Sequence, residues 1–146
     1  MKQHVYVLLF LFSVTLTNCS LNSTNDTNTS QIVKSTWNLV NISGGFAGVN
    51  KNFNTGEIVW SFNEDNSILT VTNTNTSGSI EYGPISGTYS FSVTSTGSNL
   101  FLFIDSNEFG SFKVTQNQLI IDQSITTNGS AADKFIYIFE RSSIIE

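Results

Sequence analysis

The feature that most restricts this chain is a two-residue rhythm that recurs from about Ser35 to Arg141. In Gly87–Thr94 (GTYSFSVT) the apolar residues Tyr89, Phe91 and Val93 alternate with small polar ones. Successive side chains of a strand point to opposite faces, so such a stretch offers one apolar and one polar surface. An amphipathic helix would instead bring apolar residues back every three or four positions. No segment after the N-terminal region does so convincingly.

Reading this rhythm along the chain predicts eight strands. They are Ser35–Ile42, Glu57–Asn63, Ser67–Asn73, Gly87–Thr94, Leu100–Asp105, Phe109–Thr115, Leu119–Asp122 and Lys134–Arg141. Each is rich in β-branched or aromatic residues, and Gly, Asn, Ser and Asp separate them. The stretch with Gly44, Gly45 and Gly48 reads as a loop, as do residues 74–86 and the polar run Gln123–Asp133. The links are mostly short, which favours antiparallel neighbours in sequence order. The simplest closure is an all-β, eight-stranded antiparallel up-and-down barrel, which also removes exposed edges. An open sandwich is the alternative.

The N-terminus carries a different signal. A short, weakly basic head (Met1–His4) precedes an apolar run from Val5 to Leu16, and Cys19 follows. This is the layout of a signal peptide, and the run is short for a bilayer span. Cys19 is the chain's one cysteine, so it has no intramolecular disulfide partner. Ser20–Ser30 (SLNSTNDTNTS) has a single apolar residue and reads as a flexible tether. The expected organisation is therefore a signal peptide over 1–18, an attachment cysteine and tether over 19–34, a barrel over 35–141 and a tail over 142–146.

Leu16-Thr17-Asn18-Cys19 resembles the lipobox of bacterial lipoproteins, with Asn18 larger than the residue usual there. That resemblance implies a diacylglycerol on the Cys19 sulfur, removal of residues 1–18 and acylation of the new amine, as with palmitate. An ordinary secreted protein with one free thiol, or a retained N-terminal anchor, are the alternatives. The domain itself resembles the lipocalin-like domains of bacterial lipoproteins. Ser35-Thr36-Trp37 is similar to their G-x-W opening, with Ser35 in place of Gly. Gly56–Asn63 (GEIVWSFN) is similar to their second strand, Gly87–Phe91 to their G-T-Y strand, and Phe139-Glu140-Arg141 to their terminal aromatic-x-Arg. The family implies that Trp37 and Arg141 close one end of the barrel, with the guanidinium packed across the indole. By the sorting rules of lipoproteins, Ser20 implies an outer-membrane anchor facing the periplasm.

Composition narrows the chemistry. The one histidine is His4, inside the predicted signal, so the mature domain has no imidazole and, once Cys19 is modified, no free thiol. This excludes Ser-His-Asp and Cys-His catalysis and zinc sites built on His or Cys. Carboxylates at Glu64/Asp65, Asp105/Glu108 and Asp122/Asp133 sit at predicted strand ends, where solvation accounts for them. No enzyme activity, metal or cofactor is expected. The net charge of −5 and the lack of a basic patch argue against a nucleic-acid partner.

What stands out is the aromatic content, with twelve Phe, four Tyr and two Trp. Eight strands enclose either a packed core or a small-ligand cavity. The expected function is that of an envelope lipoprotein binding a small apolar or amphipathic ligand through Trp60, Phe62, Tyr89, Phe91 and Tyr137. Loops 43–56 and 74–86 are then the candidate mouth. The alternative is a non-catalytic protein-interaction or structural module with a solid barrel. The membrane, through a lipid on Cys19, is the other expected partner.

Overall fold

The computed structural model describes residues 33–75 and 83–145; of Val33, Lys34, Ile144 and Ile145 only the backbone is described. The expected signal peptide, Cys19 and most of the tether lie outside these residues. All regular structure within them is β. In chain order the strands are β1 (Val33–Gly44), β2 (Val49–Asn52), β3 (Ile58–Asn63), β4 (Ile68–Asn73), β5 (Gly87–Thr96), β6 (Asn99–Ile104), β7 (Asn107–Val114), β8 (Gln118–Asp122), β9 (Ile125–Thr126), β10 (Gly129–Ser130) and β11 (Phe135–Ile145).

Nine strands form one antiparallel sheet in the order β11-β8-β7-β6-β5-β4-β3-β1-β2, and an added β11–β1 pairing closes it. Trp37 sits opposite Arg141 and Ile42 opposite Tyr137 across that seam. Strands β2 and β3 share the other edge of β1: β2 pairs with Asn41–Gly44, and β3 pairs with Trp37 and Asn38. They act as one wall segment broken by an excursion through Phe53–Glu57. The wall is thus an eight-stranded up-and-down barrel.

The interior follows from the alternation, modified at two bulges. In β1 the register shifts between Leu39 and Asn41, leaving Val40 unpaired. Leu39 and Ile42 are both fully buried in the core, although strict alternation would place them on opposite faces. In β7 the shift lies opposite Leu102/Phe103, and Phe109 is the extra residue. Phe109 and Phe112 both pack against the core as a result. A bulge changes which face the following residues take, which is how one strand presents two aromatic rings three positions apart to the same interior.

Four expectations of extent are corrected. β11 continues past Arg141 to Ile145, pairing with the start of β1, so residues 142–145 are strand and not tail. Correspondingly β1 begins at Val33, inside the predicted tether. Ser142 is tied in: its hydroxyl accepts from Asn38 Nδ2 at 2.8 Å and shares a hydrogen bond with Thr36 Oγ1, also 2.8 Å. The loop read around Gly44–Gly48 is a hairpin turn leading into β2. Within the polar run 123–133, β9 and β10 form a hairpin fastened to the wall by Glu108. That carboxylate accepts from the Thr127 N–H and from Thr127 Oγ1, each at 2.7 Å.

Candidate functional site

The two ends of the barrel differ. At the end where β1 finishes and β11 begins, aromatic rings fill the bore. Trp60 is fully buried, with ring centroids 4.9 Å from Phe139 and 5.5 Å from Phe109. Phe109 in turn lies 5.4 Å from Tyr137. Tilted ring pairs at such distances add about 0.5–1.5 kcal/mol each beyond the area they bury. The chain at Gly83 packs directly over them: a Cβ there would lie 3.6 Å from Trp60 Cζ2 and from Tyr137 Cε1. The Trp60 indole N–H is fully buried and has no hydrogen-bond acceptor among the described residues. A buried donor left without an acceptor costs about 1–3 kcal/mol, which the ring packing around it has to offset.

At the opposite end, where β1 starts and β11 finishes, the bore is half-open, so the closure expected there from Trp37 and Arg141 is incomplete. A half-open hollow of about 530 Å³ is lined by Trp37, Phe62, Phe91, Val93, Leu102, Phe112, Val114 and Leu119. Glu64, Ser67 and Ser92 add polar groups. Val93 and Val114 are 45% and 51% exposed, and Leu100 on the neighbouring β6 is 42% exposed. These residues continue the inward-facing series of their strands past the last filled layer. They are short aliphatic side chains where the other end has rings, and space is left between them.

Beside this hollow, the Arg141 guanidinium carbon lies 5.8 Å from the centre of the Trp37 ring. Its Nε donates to Ser35 Oγ at 3.0 Å, and Nη2 donates to the same hydroxyl. Nη1 reaches the Gln116 carbonyl at 3.4 Å, and the Arg141 backbone N–H donates to the Asn117 carbonyl at 2.9 Å. The cation therefore holds β1, β11 and the β7–β8 turn together at the rim. Ser35 is used as a hydrogen-bond acceptor, which a glycine at that position could not supply.

The sequence-predicted site residues separate into two groups. Phe62 and Phe91 line the hollow, 5.1 Å apart and edge to face. Trp60 and Tyr137 belong to the filled end and are buried in the core. Tyr89 is half-buried and donates from its hydroxyl to the Ile85 carbonyl at 2.9 Å, bracing the segment that enters β5. The apolar hollow lies away from loop 43–56 and from the described flanks of loop 74–86, at the end marked by Trp37 and Arg141. Residues 76–82 of the second loop lie outside the described residues. The lining residues Trp37, Leu102, Phe112, Val114 and Leu119 were not singled out as ligand contacts. Their alternation was legible, but their depth along the bore was not.

Charge is sparse around the hollow. Glu64 is the one ionisable side chain among its described lining residues. Elsewhere, the Asn75 side-chain amide, at 2.6 Å, and the Asn54 backbone N–H hold the Glu57 carboxyl below its ordinary value. No group of three or more His, Cys, Asp or Glu side chains among the described residues could hold a metal ion. No protein-family model, curated protein or solved structure matches the chain.

Proposed function

We propose that this protein is a lipid-anchored, lipocalin-like envelope protein, held by an acylated Cys19, whose barrel takes up a small apolar or amphipathic molecule. The observation that supports ligand uptake is the hollow of about 530 Å³ beneath Trp37, Phe62, Phe91 and Phe112. Its volume lies within the range of small-molecule sites, and such sites are mostly apolar with a few polar groups. Water in so apolar a hollow makes few hydrogen bonds, so an apolar occupant displaces it favourably. The reading is non-enzymatic, and the anchor is proposed to sit in the outer membrane facing the periplasm.

The test is a titration of the purified domain with the uncharged probe N-phenyl-1-naphthylamine. Saturable probe emission with matching loss of Trp37 fluorescence is the expected result. Unchanged emission over the same range would dispose of the ligand reading. Intact mass measurement of the protein extracted from its source tests the anchor, through the added mass of lipid on Cys19.

A second reading, a protein-interaction module, draws on a different observation. Phe46 in the β1–β2 turn is 91% exposed and Ile85 before β5 is 76% exposed. Exposed apolar side chains mark a contact surface where they form one contiguous patch, which is what this reading requires of the two. Replacing both with Ser and finding the same co-purifying proteins would count against it.

A further inference from the structure

Strand β5 outruns its neighbour. The β4–β5 ladder ends at Ile68 opposite Ser90, and just beyond it the Phe91 N–H donates to the Ser67 carbonyl at 2.9 Å. From Ser92 to Thr96 the strand is paired on one side only, with β6. Backbone groups of successive residues point alternately to the two sides of a strand. The Ser90 carbonyl accepts from the Asp105 N–H on the β6 side, and the Phe91 N–H points to the β4 side. By the same alternation Val93 and Ser95 turn their N–H and C=O groups past the end of β4, where no described residue pairs with them. Ser92 to Thr96 are all exposed. Proteins usually guard such an edge with a charge, a proline or a bulge. Here the chain carries no Asp, Glu, Lys or Arg from Gly83 to Ile104, and no proline within β5. The β5–β6 ladder also runs without a register shift.

We infer that this edge pairs with the same edge of a second copy of the chain, antiparallel and about a two-fold axis at Thr94. Val93 then lies opposite the partner's Ser95, and Ser95 opposite the partner's Val93, so every free N–H and C=O of both residues gains a bond. Thr94, whose backbone groups face β6, lies opposite the partner's Thr94. Moving the axis to Val93 would call on Phe91, which is already bonded to Ser67, and moving it to Ser95 would call on Gly97 in the turn. A two-fold contact sets each surface against itself, so like charges on it meet directly. In a chain of net charge −5, an edge without charges is therefore suited to its own copy. The Gly97–Ser98 turn of each copy reaches the level of Phe91 in the other, so the acidic β3–β4 turn there, with Glu64 and Asp65, meets an uncharged turn. A Cβ on Gly97 would touch nothing within 4 Å, which leaves that turn room to approach. The pairing is short, so the association is weak and reversible. It does not depend on ligand uptake.

The test is disulfide trapping of the full chain in intact cells. Val93 lines the hollow, so Thr94 takes the outer face of β5, and T94C leaves the interior untouched. Opposite residues of a non-hydrogen-bonded antiparallel pair have Cα atoms about 4.5 Å apart, within the span of a disulfide. The control is T88C, exposed on the same face of β5 but at a level where β4 already occupies the edge, opposite Thr70. The wild type, with Cys19 alone, sets the background. After oxidation with diamide, T94C should give a covalent dimer of twice the chain mass in at least about five times the yield of T88C. Adding S95P removes an N–H that β6 does not use, and adding S95E sets like charges across the axis; each should return the yield to the T88C level. S95E decides if the S95P chain does not fold. Equal trapping of T94C and T88C, or T94C trapping undiminished by S95E, would overturn the inference. A T94C adduct of any other mass would put a different protein on this edge and overturn the second copy.

Discussion

Gly110 is the position at which the barrel's interior depends most directly on a missing side chain. It follows the bulged Phe109 in β7 and has φ of +149°, a value that side-chain-bearing residues rarely adopt. A Cβ there would lie 2.7 Å from the Asp122 carbonyl oxygen, 2.9 Å from Gln123 Cα and 3.0 Å from the Asp122 carbonyl carbon. All three are backbone atoms of β8 and its continuation, and none can rotate away. Gly110→Ala therefore carries two costs. Backbone strain contributes about 1–3 kcal/mol, and overpacking against an immobile chain another 1–3 kcal/mol. At roughly 4 °C or more per kcal/mol for a domain of this size, the melting temperature should fall by about 10–20 °C. Gly97 supplies the control. Its φ is +61°, and a Cβ there would meet nothing within 4 Å. Gly97→Ala should cost only the strain, about 1–2 kcal/mol. Circular dichroism melts of the two variants separate the steric part from the conformational part. If Gly110→Ala melts within a few degrees of Gly97→Ala, β7 and β8 do not approach as described, and the bulge that turns Phe109 inward is wrong.

Three further perturbations read other parts of the molecule. Trp37→Ala removes a buried ring that is both wall and hollow lining, and should cost about 3–5 kcal/mol in urea unfolding; wild-type stability would remove its structural role. Glu108→Ala frees the β9–β10 hairpin, so exchange of the Thr127 amide should quicken about tenfold, the equivalent of ~1.5 kcal/mol for a hydrogen bond to a charged acceptor. Core amides should keep their protection, and an unchanged Thr127 would show that the carboxylate does not fasten the hairpin. Glu57 ionises more readily folded than unfolded, because the Asn75 amide and the Asn54 N–H stabilise its carboxylate. Its contribution is then fully present above the ordinary carboxylate range and is lost as pH falls through the lowered folded value. An NMR titration should place the Glu57 midpoint below that of a model peptide, and a midpoint at or above it would refute these contacts.

The sequence carried the wall of this barrel far better than its contents. Strand type and order were legible because β-branched and aromatic residues alternate across segments too short for helices, with turn-forming residues between them. β2 was not legible, because Gly44, Gly45 and Gly48 mark a loop by composition while Val49–Asn52 is too short and polar to show a rhythm. The β9–β10 hairpin was hidden for the same reason: its attachment comes from a carboxylate on β7, distant in sequence. The two bulges could not be read from alternation because they interrupt it. Within β1 the pattern alone sends Leu39 and Ile42 to opposite faces, and only pairing with β11 shows that both turn inward.

Depth along the bore is the property that separated the predicted ligand residues into core and hollow, and it depends on register. Trp60 and Phe62 are two positions apart on the same face of β3, yet Trp60 is sealed and Phe62 borders open space. The difference comes from what other strands contribute at each level. At the level of Trp60 the neighbours are Phe139 and Phe109, with Tyr137 next to them. Toward Phe62 the series continues through Phe91 to Val93 on β5 and from Phe112 to Val114 on β7. Replacing rings by isopropyl groups at the rim of a barrel of fixed circumference leaves volume that the wall cannot close, since strand number and stagger set its diameter. The hollow is thus a consequence of side-chain size at one end of a uniform wall. Filling that end should close it. Val93→Phe with Val114→Phe places two rings at the half-exposed rim, where they meet solvent and not packed chain, so the fold should tolerate them within about 1 kcal/mol. Binding of N-phenyl-1-naphthylamine should fall at least tenfold. Retained binding in a folded double variant would mean that the probe site lies elsewhere on the protein.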